Sequence, residues 1–216
     1  MDVIKPYKFI SKVGLETVAT ELRSEVESSR RRRRLSADSV ATGIADYLEL
    51  NVEWQSIPGD QQGNIAAMII PVEKHIYINE DIPALREEFG QSTIAHEIGH
   101  WMLHIDHKAV GEYVERYDHD FEKRVTPQPF LCRSTQSLQA REWQAQYFAG
   151  CLLMPYHKLI EAKRGRDVTN WSHLYAMKQD FGVTISNLIV RLQSLGWIRL
   201  IDGSKQIYRG ECLPKS

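Results

Sequence analysis

The chain has 216 residues, of which 43% are hydrophobic and 25% are charged, and its formal net charge is −1. These values are typical of a globular protein, and the length suffices for one substantial domain with a small appendage. They exclude collagen, a coiled-coil rod, a disordered tail protein and a disulfide scaffold. The small net charge also gives no overall attraction to nucleic acid or to an anionic membrane.

The charge is unevenly distributed along the chain. Residues 61–155 contain 13 acidic and eight basic residues, whereas residues 156–216 contain five acidic and ten basic residues. We therefore predict two units, residues 1–155 with N-terminal helices over residues 1–50, and a basic appendage over residues 156–216.

The cysteines and the lengths of the apolar runs indicate the cellular compartment to expect. The three cysteines are scattered and form no CxxC pair, which indicates reduced thiols. They are Cys132, Cys151 and Cys212. No signal peptide is evident at the N-terminus, and the longest apolar runs are half a membrane span or less. We expect a cytoplasmic protein without a membrane partner.

The first half of the chain predicts helices followed by short strands. Apolar periodicity predicts two helices within residues 15–50, with Ser36 and Ser39 as N-cap candidates for the second. Two β-rich runs, residues 65–71 and 75–79, predict short strands around a charged turn.

Two longer helices are expected next. The first begins at Pro83, a favoured first helical position, and runs through Leu103, although Gly90 weakens it and could interrupt it. Residues 106–134 are predicted to be irregular. The second helix extends from about Thr135 to Met154 and is closed by a proline.

The C-terminal unit predicts helix, helix and hairpin. Residues 171–181 form the first helix, Val183–Ser186 open a second helix that extends to Leu195, and two strands flank Asp202 and Gly203. This order is typical of a helix-turn-helix with a hairpin in the position of a wing.

The segment His96-Glu97-Ile98-Gly99-His100 forms an HExxH motif. Residues four apart on an α-helix differ by about 40° in angle and about 6 Å in rise, so the two imidazoles can converge on one metal ion. Glu97 lies beside that position, free to act as a base on water. The alternative is a pair of surface histidines on an ordinary amphipathic helix. The apolar residues around the motif argue against that alternative.

A zinc hydrolase needs a third protein ligand. His104 is a further turn along the helix, about 12 Å of rise from His96, and is too far to share one metal ion with it. It is expected either to support a ligand or to end the helix as a cation that complements the dipole.

Glu142 is the better candidate for the third ligand, because it is the one carboxylate on an otherwise apolar helical stripe. A glutamate on a core-facing stripe is costly unless it is paired or bound to metal. The alternatives are a glutamate at the edge of the stripe or a pair with Arg141. The stripe consists of Leu138, Glu142, Ala145, Ala149 and Leu152.

The stretches REEFGQSTIAHEIGHWMLH and REWQAQYFAGCLLMP, with the strand before them, resemble the ImmA/IrrE-type metallopeptidases over roughly residues 36–155. The resemblance implies an α+β, zincin-like fold and a gluzincin-like site. In that site His96, His100 and Glu142 bind zinc and Glu97 is the catalytic base. The chain departs from the family pattern in a long 101–141 interval and in Gln146, where the family often has asparagine.

The family resemblance implies zinc-dependent endoproteolysis of a cytoplasmic regulator, most often a helix-turn-helix (Xre-type) repressor. Mn²⁺ or Fe²⁺ also suits two histidines and a carboxylate. The alternative function is a non-catalytic regulator that keeps the metal fold to bind a partner protein or DNA, including sequestration of the toxin–antitoxin type. The intact ligand set and Glu97 argue against it.

Several weaker features have an ordinary structural interpretation as well as a functional one. The arginine run Arg30–Arg34 is expected to be a solvated helix face, with docking to an acidic partner as the minority interpretation. For the basic appendage, docking to the core or recruitment of the substrate is favoured over direct DNA binding. Cys132 as an inhibitory ligand is a minor alternative. Candidate oxyanion donors are Tyr113, His119, Arg133, Tyr147 and His157.

Overall fold

The computed structural model describes residues 3–33, 39–59, 63–86, 89–117, 136–201, 203 and 205–210. Within these residues the protein is a mixed α+β fold with eight α-helices and two small sheets. The predicted α+β class is therefore confirmed. The predicted N-cap Ser36, the last arginine of the run, Arg34, and the turn residue Asp202 lie outside the described residues.

The α-helices are α1 (Lys12–Arg33), α2 (Val40–Tyr47), α3 (Phe89–His104), α4 (His107–Tyr117), α5 (Gln136–Leu153), α6 (Tyr156–Lys163), α7 (Trp171–Phe181) and α8 (Ile185–Ser194). The strands are β1 (Asn51–Gln55), β2 (Ala67–Ile70), β3 (His75–Asn79), β4 (Ile198–Leu200) and β5 (Ile207–Arg209).

The larger sheet has the order β1-β3-β2. The central strand β3 pairs in parallel with β1 and antiparallel with β2. Its residues Ile76 and Ile78 are completely buried, as is Ile69 of β2, so one face of the sheet belongs to the core. The edge strand β1 was not predicted because most of its side chains are exposed and it lacks the apolar alternation of a half-buried strand.

Asn79 closes this sheet at the end of β3. Its side chain is buried and donates from Nδ2 to the carbonyls of Ile57 (2.9 Å) and Ile65 (2.8 Å). Its Oδ1 accepts from the amides of Ile57 (3.3 Å) and Asp81 (3.0 Å). One amide group therefore satisfies four backbone groups in the loops around the sheet.

The prediction of a single helix from Pro83 to Leu103 is wrong for the residues before Phe89. Residues Pro83–Arg86 form a 3₁₀ turn, and α3 begins at Phe89. A Cβ atom at Gly90 would lie 2.4 Å from the carbonyl oxygen of Leu85, so the chain folds back on itself there. Gly90 therefore allows a tight entry into α3 and does not interrupt the helix.

The irregular interval expected over residues 106–134 contains α4. Asp106 begins this helix by accepting hydrogen bonds from the amides of Lys108 (3.1 Å) and Ala109 (3.2 Å). An aspartate in this position is a helix start signal that the sequence analysis did not use. The helix α6 was also not predicted, and Pro155 both follows α5 and is the N-cap residue of α6.

The remaining helices agree with expectation. Ser39 is the N-cap of α2 and accepts from the amide of Thr42 at 3.1 Å. The bounds of α5, α7 and α8 match the predicted segments within one or two residues. The hairpin partners β4 and β5 are antiparallel.

Buried apolar residues from α1 through β5 form one cluster. Arg191 of α8 is buried and links this helix to α1 and to the end of α5. It pairs with Glu16 of α1 and donates from Nε to the carbonyl of Met154 (3.2 Å), which follows α5. The division into two units at Pro155 stays a prediction. None of the described helices has the length and apolar character needed to cross a bilayer.

Replacing Asn79 with alanine is expected to lower the free energy of unfolding by about 2–4 kcal/mol, since buried backbone groups lose their partners. Ser39→Ala, which removes one N-cap bond, is expected to cost about 1 kcal/mol. Urea unfolding followed by circular dichroism measures both. Equal effects of the two substitutions would contradict the role given to Asn79.

Candidate metal centre

The site is built on the contact between α3 and α5. A Cβ atom at Gly99 would lie 3.0 Å from both the Cα and the carbonyl oxygen of Ala145. The two helices therefore approach backbone to backbone, which requires glycine on α3 and a small residue on α5. Gly99 lies between His96 and His100, and Ala145 follows Glu142 by one turn, so the contact brings the three polar side chains together.

The structure brings together the three residues that the sequence predicted as ligands. The ligand atoms of His96, His100 and Glu142 all lie within 4.8 Å of one another. The Nε2 atoms of the two histidines are 3.0 Å apart, and Glu142 places Oε2 3.0 Å from His96 Nε2 and Oε1 3.3 Å from His100 Nε2. Among the described residues, this is the one group of His, Cys, Asp and Glu side chains with such spacing.

The donor set fits a zinc ion. Two ring nitrogens facing each other at 3.0 Å repel unless a proton or a cation lies between them. Ligands bound tetrahedrally to one zinc ion at about 2.0–2.1 Å lie about 3.3 Å from one another. Two histidines and one carboxylate also leave the fourth position that a catalytic zinc site requires.

Charge on the cluster reinforces the assignment of Glu142 as an anionic ligand. Burial acts to raise the pKa of Glu142, but hydrogen bonds from His100 and His96 outweigh it and lower the pKa to about 2. For His96, burial acts to lower the pKa, and the carboxylates of Glu142 and Glu97 outweigh it and raise the pKa. The carboxylate of Glu142 therefore remains ionised across the neutral range.

Glu97 is buried next to the cluster but is not part of the ligand group. Burial raises the pKa of its carboxyl, although His100 and His96 act in the opposite direction. A carboxyl group with a raised pKa beside a metal position is suited to proton transfer.

His104 ends α3, as expected, but its surroundings do not suit the cation that was expected there. Its ring is buried, and burial lowers its pKa to about 4. Its Nδ1 lies 3.0 Å from Nδ1 of His100, and its Nε2 lies 3.0 Å from Oε1 of Gln144. The other expectation, that His104 supports a ligand, agrees with these contacts.

Arg141 does not provide the pairing that was considered for Glu142. It donates from Nη2 to the carbonyl of Lys5 at 3.0 Å, and its guanidinium lies 5.8 Å from the centre of the Tyr7 ring. The carboxylate of Glu142 is directed to the two histidines instead.

A cavity of about 130 Å³ lies between α3, α5 and α8, and its lining does not include the ligand residues. Its lining includes Ser92, one turn before His96, and Gln146, one turn after Glu142. Apolar side chains such as Val190 provide most of the remaining lining, which also includes polar side chains of α8. The cavity is therefore a mainly apolar space one helical turn away from two of the ligand residues.

The remaining candidate residues are placed as follows. Tyr147 lines the same cavity, and its ring centre lies 5.6 Å from the guanidinium of Arg191. His157 is exposed on α6 and Tyr113 is half-buried on α4. Cys151 is a buried free thiol. Outside the described residues lie His119, Arg133, Cys132 and Cys212.

Gln144 was not predicted. It is 1% exposed and joins His104 to the carbonyl of Lys8. A buried glutamine two residues after Glu142 gives no signal in a single sequence. The close contact at Gly99 was also missed, although a glycine inside HExxH and an alanine on the stripe of α5 are a detectable small-residue pair.

Part of the chain matches a known family model. Residues 133–193 match the family model Peptidase_M78, described as the IrrE N-terminal-like domain. The match confirms the resemblance to the ImmA/IrrE family. The matched segment contains Glu142 and extends into α8, beyond the predicted boundary at Pro155. The Peptidase_M78 name denotes a peptidase family.

Two further comparisons were made. No curated protein matches the chain. A solved structure described as a "Mycobacterium tuberculosis transcriptional regulator" is similar at 16% sequence identity with a TM-score of 0.46, over 84% of this chain and 52% of that one. The chain thus spans about half the length of that regulator.

Gly99→Ala is expected to weaken zinc binding at least tenfold, because the new methyl group pushes α5 away and separates Glu142 from the histidines. Gly150→Ala is the matched control. Its Cβ would meet only the Cδ of Arg191, at 3.6 Å, and the gain in helix propensity is about the same. Competition with a chromophoric chelator measures the affinity. Equal affinity in both variants would contradict the role of the close contact.

Proposed function

We propose that this protein is a zinc-dependent endopeptidase that cleaves a cytoplasmic helix-turn-helix (Xre-type) repressor. The observation that carries the proposal is the convergence of His96, His100 and Glu142 within 4.8 Å, on two helices held together at a glycine. The match of residues 133–193 to a peptidase family supports it.

The proposed roles follow from the chemistry of each side chain. His96 and His100, through Nε2, and Glu142, through its carboxylate, hold the ion. When bound, Zn²⁺ acts as a Lewis acid that polarises the scissile carbonyl and makes water more acidic. Glu97 takes the proton from the attacking water and delivers it to the leaving amine. Burial raises the pKa of Glu97, which makes its carboxylate a stronger base toward the attacking water.

The architecture that we propose is zincin-like. The three-stranded sheet packs on the helix that carries HExxH, and a second helix supplies the third ligand. The contacts of α3 with β2, β3 and α5 support this arrangement. The cavity beside the cluster is proposed to take a substrate side chain next to the cleaved bond, since its lining is mainly apolar and begins one turn from two ligands.

The C-terminal part is proposed to be a winged-helix-like appendage that recruits substrate. The helices α7 and α8 are joined at Gly182, which has a φ of 62°, and Thr184 caps α8. The antiparallel pair β4–β5 then follows in the position of a wing.

Protein recruitment is favoured over DNA binding on the evidence of α8. In a helix-turn-helix the second helix reads DNA, and it needs exposed basic side chains to do so. Arg191 of α8 is buried against Glu16, whereas Val190 is 56% exposed. An exposed apolar residue and a buried arginine suit contact with a protein better than contact with phosphate.

Glu97→Gln is expected to lower the cleavage rate by about 10²–10⁴-fold, because the variant has no general base, while zinc affinity stays within about threefold of wild type. Glu142→Gln is expected to lose both zinc and cleavage. Each protein is incubated with a purified helix-turn-helix (Xre-type) repressor from the same organism, with and without chelator, and the products are identified by intact mass.

Wild-type rates in the Glu97→Gln variant would overturn the proposed mechanism. If zinc-loaded wild-type protein leaves the repressor intact under every condition, a non-catalytic regulator becomes the better description.

A further inference from the structure

We propose that the cavity between α3, α5 and α8 is a specificity pocket, which takes one neutral, apolar substrate side chain of the size of leucine or phenylalanine. The inference rests on the proposed peptidase function and names the class of sequence that the protein cleaves. It is carried by the volume of the cavity, by the small residues that keep it open, and by a lining whose charge is already paired.

The volume of the cavity matches a single ring or a branched aliphatic group. The cavity measures about 130 Å³. An apolar cavity of about 150 Å³ in a protein interior binds benzene. The side chain of leucine or phenylalanine is therefore of the right size. An alanine side chain leaves most of this volume unfilled, and the two fused rings of tryptophan exceed it.

Two small residues of α5, Ala149 and Gly150, leave this space open. A Cβ atom at Gly150 would meet only the Cδ of Arg191, at 3.6 Å. Because Arg191 also lines the cavity, a methyl group added at Gly150 enters between two lining residues and reduces the space. Larger apolar side chains form the walls, namely Trp143, Leu153, Met154 and Val190.

Among the described residues that line the cavity, Arg191 is the charged one, and its charge is already paired. Its guanidinium pairs with Glu16 and donates from Nε to the carbonyl of Met154 at 3.2 Å. Its Nη1 has no hydrogen-bond partner among the described residues, but this atom is buried, so a group in the cavity does not reach it. A carboxylate or an ammonium in the cavity would lose its hydration without gaining a free counter-charge, so the pocket selects a neutral side chain.

Other polar groups of the lining also have partners within the protein. Asn187 donates from Nδ2 to Oγ of Ser92, and Oγ of Ser194 donates to the carbonyl of Arg191 at 2.7 Å. These donors do not depend on a substrate group for a hydrogen bond. An apolar side chain can therefore fill the pocket without leaving them unpaired.

The position of the pocket relates it to the cleaved bond. Ser92 precedes His96 by one turn on α3, and Gln146 follows Glu142 by one turn on α5. One turn corresponds to about 6 Å along a helix, and an extended peptide advances about 3.3 Å per residue. We therefore expect the selected side chain within two residues of the cleaved bond.

Exposed apolar side chains lie around the pocket. Trp143 and Val190 line it and are 42% and 56% exposed, and Phe89, which lies one turn before Ser92, is 44% exposed. Apolar side chains exposed on three helices around one cavity are typical of a binding site. They offer a surface for the substrate residues that flank the selected side chain.

The first measurement tests the pocket without cleavage. Toluene, which has the ring and methylene carbon of phenylalanine, is titrated into the zinc-loaded protein, and binding is followed by the methyl resonances of Leu153, Met154 and Val190. We expect these resonances to shift with toluene and to stay unchanged with the same concentration of acetate.

A matched pair of substitutions tests the size of the pocket. Gly150→Ala is expected to lower toluene affinity about tenfold or more, because one misplaced methyl group in an apolar pocket has an effect of about this size. Gly111→Ala is the control on α4, where a Cβ atom would meet nothing within 4 Å, and its toluene affinity should equal that of wild type.

The second measurement locates the selected residue. The zinc-loaded protein is incubated with a mixed peptide library, and the products are sequenced by mass spectrometry. We expect leucine and phenylalanine to exceed aspartate and lysine about tenfold or more at one position within two residues of the cleaved bond. In Gly150→Ala, kcat/KM for phenylalanine at this position should fall about tenfold relative to valine, whereas Gly111→Ala should behave as wild type.

Equal toluene affinities in Gly150→Ala and Gly111→Ala would overturn the inference. Cleavage without any preference near the cleaved bond would overturn it as well and leave the proposed function in place. If toluene binds in the cavity but no peptide or repressor is cleaved, the proposed function is wrong and an apolar binding site of the stated size remains.

Discussion

The site depends on the close contact of α3 with α5. Two histidines on one helix give only two ligands, and the third must come from a neighbour at a short distance. A Cβ atom at Gly99 would lie 3.0 Å from Ala145 Cα, so the helices come close only because this side chain is absent. The glycine therefore has a role comparable to that of a ligand, since it sets where Glu142 stands.

Polar side chains buried behind this contact would destabilise the fold if they had no hydrogen-bond partners. The N-terminal segment, residues 3–8, provides such partners. Its backbone is bonded to the end of α3 and to the residue before α4, through Lys5 N to His104 O (2.8 Å) and Asp106 N to Val3 O (2.8 Å). From the α5 side, Arg141 and Gln144 donate to the carbonyls of Lys5 and Lys8. The segment thus accepts hydrogen bonds from side chains of α5 that would otherwise be buried without these partners.

The sequence predicted the candidate site where a short stretch of one helix was sufficient to show it. The spacing of His96 and His100 needs only the geometry of one helix, and Glu142 is a carboxylate on an apolar stripe. The strand β1 and the residue Gln144 escaped prediction for the same physical reason. Strand β1 is defined by its pairing with β3, and Gln144 by a bond to Lys8, which is 136 residues away. Neither partner can be identified from the local sequence.

The structure explains part of the basic excess of residues 156–216 by pairing within the fold. Basic side chains of the C-terminal part pair with acidic ones of α1, as in Lys158–Glu27 and the buried Arg191–Glu16. These two basic side chains hold α6 and α8 against α1. Because they are already paired, they are not available to bind phosphate. Arg191 also donates to the carbonyl of Met154 at the end of α5, the helix that carries Glu142. Arg191 therefore helps to position the helix that carries Glu142, which links the C-terminal part to the candidate site.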